Sequence, residues 1–299
     1  MPGVGPHNPR MPVPERREPP ASRAVKALVA LQFLAILAGA LSFLSPPTPP
    51  AQPGTQALGE AIVWLLALGT GLWSAKALLQ GRITVVELLY IDAAVLATAC
   101  AALSLTDEHR IFKPLPMLLA LAWTAQAWTR GRLSRGTGLS LLLAQGCSLA
   151  GDVFLMLPGP YFLEGLLSFL LAHLAYLVLF RRGLPWFPSR PALVLPLLLG
   201  ALVYAGLWRH GLPSALHGPV GAYVVVIALM AAQALGRAAT RRTSGALLVA
   251  TGAVFFMASD YLLAVNKFVM PLPLAPLWVL SSYFVAQWLI VRGWLHAPD

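Results

Sequence analysis

Two aspartates lie inside apolar stretches of this chain and have the same surroundings. Asp152 belongs to the run Gly146-Cys147-Ser148-Leu149-Ala150-Gly151-Asp152-Val153-Phe154-Leu155-Met156, which is followed by Ser168-Phe169-Leu170-Leu171-Ala172-His173-Leu174-Ala175-Tyr176. Asp260 belongs to Ala258-Ser259-Asp260-Tyr261-Leu262-Leu263-Ala264, followed by Ser282-Tyr283-Phe284-Val285-Ala286-Gln287. In each copy a lone aspartate near the end of one apolar segment precedes a second segment reading Ser, three apolar residues, Ala, then His or Gln. A carboxylate in hydrocarbon costs at least about 2.5 kcal/mol on insertion scales, so a matched pair points to a site. The structural alternative is that each aspartate caps or bonds a neighbouring helix near the interface. Two carboxyl groups sharing a low-dielectric cleft rarely both ionise, because desolvation and mutual repulsion leave one as an acid and one as a base. That is the equipment of general acid–base hydrolysis.

Other polar side chains accompany them. Lys113, in Phe112-Lys113-Pro114-Leu115-Pro116, either snorkels to the interface, pairs with an aspartate or binds a lipid phosphate. His173 lies in the middle of its segment and can bond between helices. Tyr176, Tyr223 and Tyr283 suit packing or interface anchoring. Glu164 suits a helix N-terminus, and Asn266 a helix C-terminus. His109, His210 and His217 are too scattered to suggest a metal, and no Cys/His cluster has metal-ligand spacing. Cys100 and Cys147 both fall in apolar segments, so no disulfide is expected. Glu87 and Asp92 precede Lys113 and receive no role.

The elements that must position these groups follow from composition. The 299-residue chain is 58% hydrophobic and 11% charged, against roughly 25% charged in soluble domains. Its mean hydropathy is +0.73. It reads as an all-α polytopic transmembrane bundle. Residues 1–26, rich in Pro and Arg, read as a disordered basic cytoplasmic tail. Apolar segments near the ~20 residues needed to span a bilayer fall near 27–44, 58–80, 83–105, 111–129, 137–157, 161–180, 191–208, 219–236, 244–263 and 274–292. Backbone groups in lipid must be satisfied internally, so these are helices. The alternation of a transmembrane barrel is absent. Ala38-Gly39-Ala40 offers a signal-peptide cleavage site, but the preceding basic tail is long for that, and an uncleaved helix is the reading taken.

Charge placement accounts for the net charge of +10 without nucleic acid. With the N-terminus inside and the segments alternating, only Arg110, Lys113, Arg209 and Lys267 fall outside, as the positive-inside rule asks. Both termini are then cytoplasmic. The same alternation puts Asp152 and Asp260 at similar heights in the outer half of the membrane, with Lys113, Glu164, Tyr223 and Asn266 near the outer ends and His173, Tyr283 and Gln287 deeper. Both aspartate segments run outward, four helices apart, which suggests parallel four-helix repeats over 83–180 and 191–292. Residues 27–82 then form two extra N-terminal helices, and 83–299 an eight-helix domain.

At these residues the chain resembles the YhhN family of membrane proteins, the lysoplasmalogenases. The resemblance is carried over about 83 to 292 by Lys113-Pro114-Leu115-Pro116, Gly151-Asp152-Val153-Phe154-Leu155-Met156, the stretch Gly165 to Tyr176, Gly245-Ala246-Leu247-Leu248 with Ser259-Asp260, and Tyr283-Phe284-Val285-Ala286-Gln287. The family is usually eight-helical, so the N-terminal pair departs from it. The resemblance implies hydrolysis of the vinyl ether bond of lysoplasmalogens to a fatty aldehyde and a glycerophospho-base, with Asp152 and Asp260 as catalytic acids. Lys113 would hold the phosphate, and His173, Tyr223 and Gln287 would orient water or the carboxyls. Glu164, Asn266 and Tyr283 complete the expected substrate-binding or orienting set. No metal or organic cofactor is implied. The implied partners are a lysophospholipid drawn from the bilayer and membrane lipids, with no nucleic acid and no particular oligomeric state; the expected setting is a bacterial cell membrane. A proton-coupled transporter or lipid carrier is the rival reading of the same buried acids. A third keeps the hydrolase and changes the substrate to another lipid ether or an epoxide.

Overall fold

The structure, a computed structural model, describes residues 55–296. The basic tail, the expected first span at 27–44 with its alternative cleavage site, and the following Pro-rich stretch lie outside the described residues. Every regular element among the described residues is a helix: α1 Thr55–Leu79, α2 Val85–Ala102, α3 Thr106–Phe112, α4 Leu115–Thr129, α5 Arg135–Met156, α6 Phe162–Arg181, α7 Arg190–Arg209, α8 Ser214–Arg241, α9 Ser244–Phe268 and α10 Ala275–His296. Seven of them (α1, α2 and α5 to α9) are long and apolar enough to cross a membrane. The chain is a polytopic helical bundle, as its composition demands.

The helix ends are written in the sequence. Thr84 accepts from the Glu87 amide while the Glu87 carboxylate accepts from the Thr84 amide, a capping box that starts α2. Ser134 and Thr243 cap α5 and α9 in the simpler way. Several C-termini close through glycine. Gly81 after α1 has φ +69° and Gly131 after α4 has φ +70°, a left-handed conformation that costs glycine little. The next amides, of Arg82 and Arg132, return to Ala77 O at 2.8 Å and Ala127 O at 2.9 Å, which satisfies carbonyls the helix would leave open.

One expected span is built differently. The segment read as a single helix over 111–129 is divided at Lys113-Pro114: α3 ends at Phe112, Pro114 caps α4, and α4 has only 15 residues. Pro114 and Pro116 supply no amide hydrogen to the preceding turn, so the α4 hydrogen-bond ladder starts afresh there. α3 in turn begins earlier than expected, at Thr106, and brings His109 into a helix with Lys113 at its end.

α10 lies at the centre and packs against α9, α2 and α4, while α8 packs against α6, α7 and α9. The two helices that carry the aspartates, α5 and α9, each pack most closely on the helix that follows. Glycine permits this. A Cβ on Gly151 would meet the Phe169 ring at 2.5 Å, and one on Gly252 would meet the Ala286 carbonyl at 2.8 Å. Away from the aspartates, Glu87 on α2 is ion-paired with Arg292 on α10 at 2.5 Å, and Arg292 also donates to Arg82 O. α1 packs on α2.

Candidate active site

Asp152 sits one turn before the end of α5 and is 3% exposed. Its Oδ2 accepts from the Tyr283 hydroxyl of α10 at 2.7 Å, and its Oδ1 lies 3.9 Å from Lys113 Nζ. Lys113 is itself 8% exposed. Of the readings open for Lys113, pairing with an aspartate is the one realised, and the proline-bounded turn between α3 and α4 aims it there.

Asp260 of α9 is held by different groups. Its Oδ2 accepts from the Tyr223 hydroxyl of α8 and lies 3.0 Å from His173 Nε2 of α6. The same oxygen accepts from Tyr223, so Nε2 is placed as a second donor to it, and Nε2 also lies 2.9 Å from Tyr223 Oη. His173 Nδ1 is buried with no hydrogen-bond partner among the described residues.

A second polar layer lies one helical turn further in. Gln287 is four residues after Tyr283, and Ser148 four before Asp152, so both fall below the Tyr283–Asp152 bond on the same helix faces. The Tyr176 hydroxyl donates to Gln287 Oε1 at 2.5 Å, and Gln287 Nε2 donates to Ser148 Oγ at 3.1 Å. Phe256, fully buried, packs edge-on against His173, Tyr176, Phe169 and Tyr283. Phe256 thus lays an aromatic floor against residues of both polar layers.

Asp152 and Asp260 line one cavity of about 400 Å³, which extends from buried Asp152 to exposed Lys267 and also touches His109, Lys113, Phe162, Ser259 and Asn266. A more apolar cavity of about 480 Å³ lies between α1, α2 and α10 among Trp73, Trp278 and Trp288; its only ionisable lining residue is Tyr90, which donates to Phe284 O. Both aspartates line the first cavity, and neither lines the second.

The sequence-predicted set is largely gathered here. Tyr283, Tyr223 and His173 touch the aspartates. Gln287 is one layer removed and touches neither. Asn266 lines the cavity, but its Oδ1 accepts from the Leu272 amide at 2.8 Å and so ties down the chain leaving α9. Glu164 is not brought to the site: it is exposed on the first turn of α6 and absent from the cavity wall. Nine residues separate it from His173, which is two and a half turns, so the two point to opposite sides of α6.

Sequence reading also left residues out. Ser148 had no signal beyond its spacing to Asp152. His109 was set aside as one of three scattered histidines, whereas it lines the cavity four residues before Lys113, with Nδ1 3.0 Å from Ala97 O. Lys267 closes the outer end. Among the described residues no three His, Cys, Asp or Glu side chains cluster as metal ligands.

A sequence profile described as the YhhN family matches residues 108–294. Over 159 residues the chain is 37% identical to a human protein named lysoplasmalogenase TMEM86A, covering 51% of this chain and 63% of the relative. A pig protein named lysoplasmalogenase TMEM86B is 40% identical over 152 residues, 51% of this chain and 62% of the relative. Its human counterpart is 32% identical over the same shares. The matched stretch thus spans a little under two-thirds of the length of these curated relatives. No solved structure matches the chain.

Proposed function

The chain belongs to the YhhN family, and from that premise we propose that it hydrolyses the vinyl ether bond of a lysoplasmalogen, with Asp152 and Asp260 as the acid–base pair. The observation that carries this reading is that the two carboxyls line one cavity and are held by unlike partners. The relatives' name supplies the substrate class.

The unlike partners support a division of roles. Asp152 has the Lys113 ammonium near one oxygen and the Tyr283 hydroxyl donating to the other. Asp260 has no cation; both of its donors meet Oδ2, and Oδ1 keeps no protein hydrogen bond among the described residues. On this reading Asp260 gives the first proton, from the oxygen left open, and Asp152 accepts one from water.

The reaction then closes without a cofactor. Asp260 gives its proton to the β-carbon of the vinyl ether, and an oxocarbenium ion forms at the α-carbon beside the new carboxylate. Water adds to the α-carbon while Asp152 takes a water proton, which leaves a neutral hemiacetal. Asp152 returns that proton to the departing glycerol oxygen. Asp260 receives the hemiacetal hydroxyl proton as the aldehyde forms, and both residues regain their starting states. Tyr283, Tyr223 and His173 orient the carboxyls, and the aromatic floor keeps bulk water from the cation. The family domain is the unit proposed to do this, residues 83–299, with the preceding segment, which includes α1, as an addition.

The test is aldehyde release from a lysoplasmalogen by purified protein in non-ionic detergent, without any gradient. Wild type should release fatty aldehyde, while Asp152→Asn and Asp260→Asn, checked for folding, should release none. Intact substrate after incubation with folded wild type would sink the proposal and leave the acids to a transporter.

A further inference from the structure

We propose that Lys267, seated on the ring of Phe162 at the outer end of the cavity, binds the phosphodiester of the lipid head group. The inference rests on the lipid-hydrolase reading above and adds to it the residue that anchors the polar end of the substrate.

The cavity lining contains two lysines, and they have different duties. Lys113 is buried and its ammonium faces Asp152; drawing it toward an external anion would strip the buried carboxylate of its counter-charge. The phosphate role expected of Lys113 therefore passes to another cation. Lys267 is exposed and makes no ion pair among the described residues. Its Nζ lies 4.5 Å from the centroid of Phe162 and 5.8 Å from that of Phe268. Two aromatic faces thus fix the position of the ammonium while consuming none of its hydrogen-bond donors, which remain for an anion.

Spacing supports the assignment. Asp260, Leu263, Asn266 and Lys267 all line the cavity, so one face of α9 runs from the acid to the lysine. Seven residues of helix rise about 10 Å. An extended glycerol carrying a phosphoester, measured from its ether oxygen, is somewhat shorter, and the lysine stem makes up the difference. His109 and Lys113, also in the lining, are likewise one turn apart, with Lys113 beside Asp152. A vinyl ether placed at Asp260 therefore leaves its phosphate near Lys267, and the chain must continue toward the apolar part of the cavity around Leu280 and Val279.

The experiment measures binding, so that it stands apart from turnover. Full-length protein in non-ionic detergent is titrated calorimetrically with a 1-alkyl lysophosphocholine, whose saturated ether is not cleaved, and with the matching 1-alkylglycerol, which lacks phosphate. For Lys267→Met, Kd for the lysophosphocholine should rise about tenfold, equivalent to about 1.4 kcal/mol, with Kd for the alkylglycerol unchanged. Lys267→Arg should restore most of the affinity. Inorganic phosphate should compete only weakly; if it displaced the lipid at low concentration, the site would be one for free phosphate and the lipid assignment would fall. Equal weakening of both ligands, or of neither, would overturn the proposal. Aldehyde assays on the same preparations distinguish this failure from failure of the hydrolase reading: wild type that binds with the predicted selectivity yet releases no aldehyde retains the head-group site and loses the reaction.

Discussion

The hydroxyl of Tyr283 donates to the carboxylate of Asp152 over 2.7 Å, although 131 residues separate them in the chain. The relationship has a counterpart. His173, on the helix that follows Asp152, reaches Asp260 at 3.0 Å. Each acid is thus held by the second helix of the other copy of the repeated pattern, and neither half of the chain can assemble a complete site alone. Removing the Tyr283 hydroxyl should therefore reduce activity while the fold persists. A hydrogen bond to a charged group contributes about 1.5–3 kcal/mol, so Tyr283→Phe should lower kcat/KM of aldehyde release by roughly tenfold to a hundredfold. A variant with wild-type kinetics would mean that Asp152 needs no such donor.

The division of labour between the acids is open to chemical rescue. Asp152→Ala should lose about 10²- to 10⁴-fold in rate, the usual contribution of a positioned acid or base. Formate, an anion at neutral pH, can accept the water proton in its place and should restore a measurable part of that rate. Almost wholly ionised at neutral pH, it has no proton to give to the vinyl ether carbon, so Asp260→Ala should stay inactive at the same concentration. Rescue of Asp260→Ala alone would reverse the assignment of acid and base.

How much of this site could be read beforehand depended on the kind of information required. Asp152 and Asp260 stand out because carboxylates in hydrocarbon are expensive, and the expectation that they share one site needed no knowledge of packing; both line one cavity. The partners were harder. These helices are apolar on every side, so periodicity does not mark the face that turns inward; Glu164 was retained as a candidate although helical phase sets it opposite His173. His109 was missed because Pro114 and Pro116 divide the expected helix and a short helix precedes the break. That the donors cross between the two copies is a matter of tertiary packing, which no local pattern carries.

Lys113 and Asp152 form a buried pair, with side chains 10% and 4% exposed. Breaking such a pair from one side leaves an uncompensated charge and typically costs about 3–5 kcal/mol. Lys113→Met should therefore lower the thermal midpoint in detergent as well as abolish activity. Lys113→Met combined with Asp152→Asn removes both charges and should recover most of the lost stability, with activity still absent. If the double variant were as unstable as the single, the lysine would be acting through packing of its stem.

His109 lies outside the spanning helices and gives a pH dependence. Burial against α2 pulls its imidazole below the ordinary value of 6.5, with Lys113 adding to the effect and the bond to Ala97 O opposing it. The folded protein therefore binds this proton less readily than the unfolded chain. The sign follows: the contribution to stability is fully present above about pH 6.5 and is lost as pH falls through the depressed folded value. Thermal midpoints measured from pH 7.5 to 5 should fall in wild type, and the fall should be smaller in His109→Gln, whose amide can still donate to Ala97 O but does not titrate. Parallel curves for the two proteins would place the acid sensitivity elsewhere. At neutral pH the uncharged ring donates through Nδ1 and leaves Nε2 as an acceptor, in a cavity wall that on the proposed reading faces a lipid with a free glycerol hydroxyl.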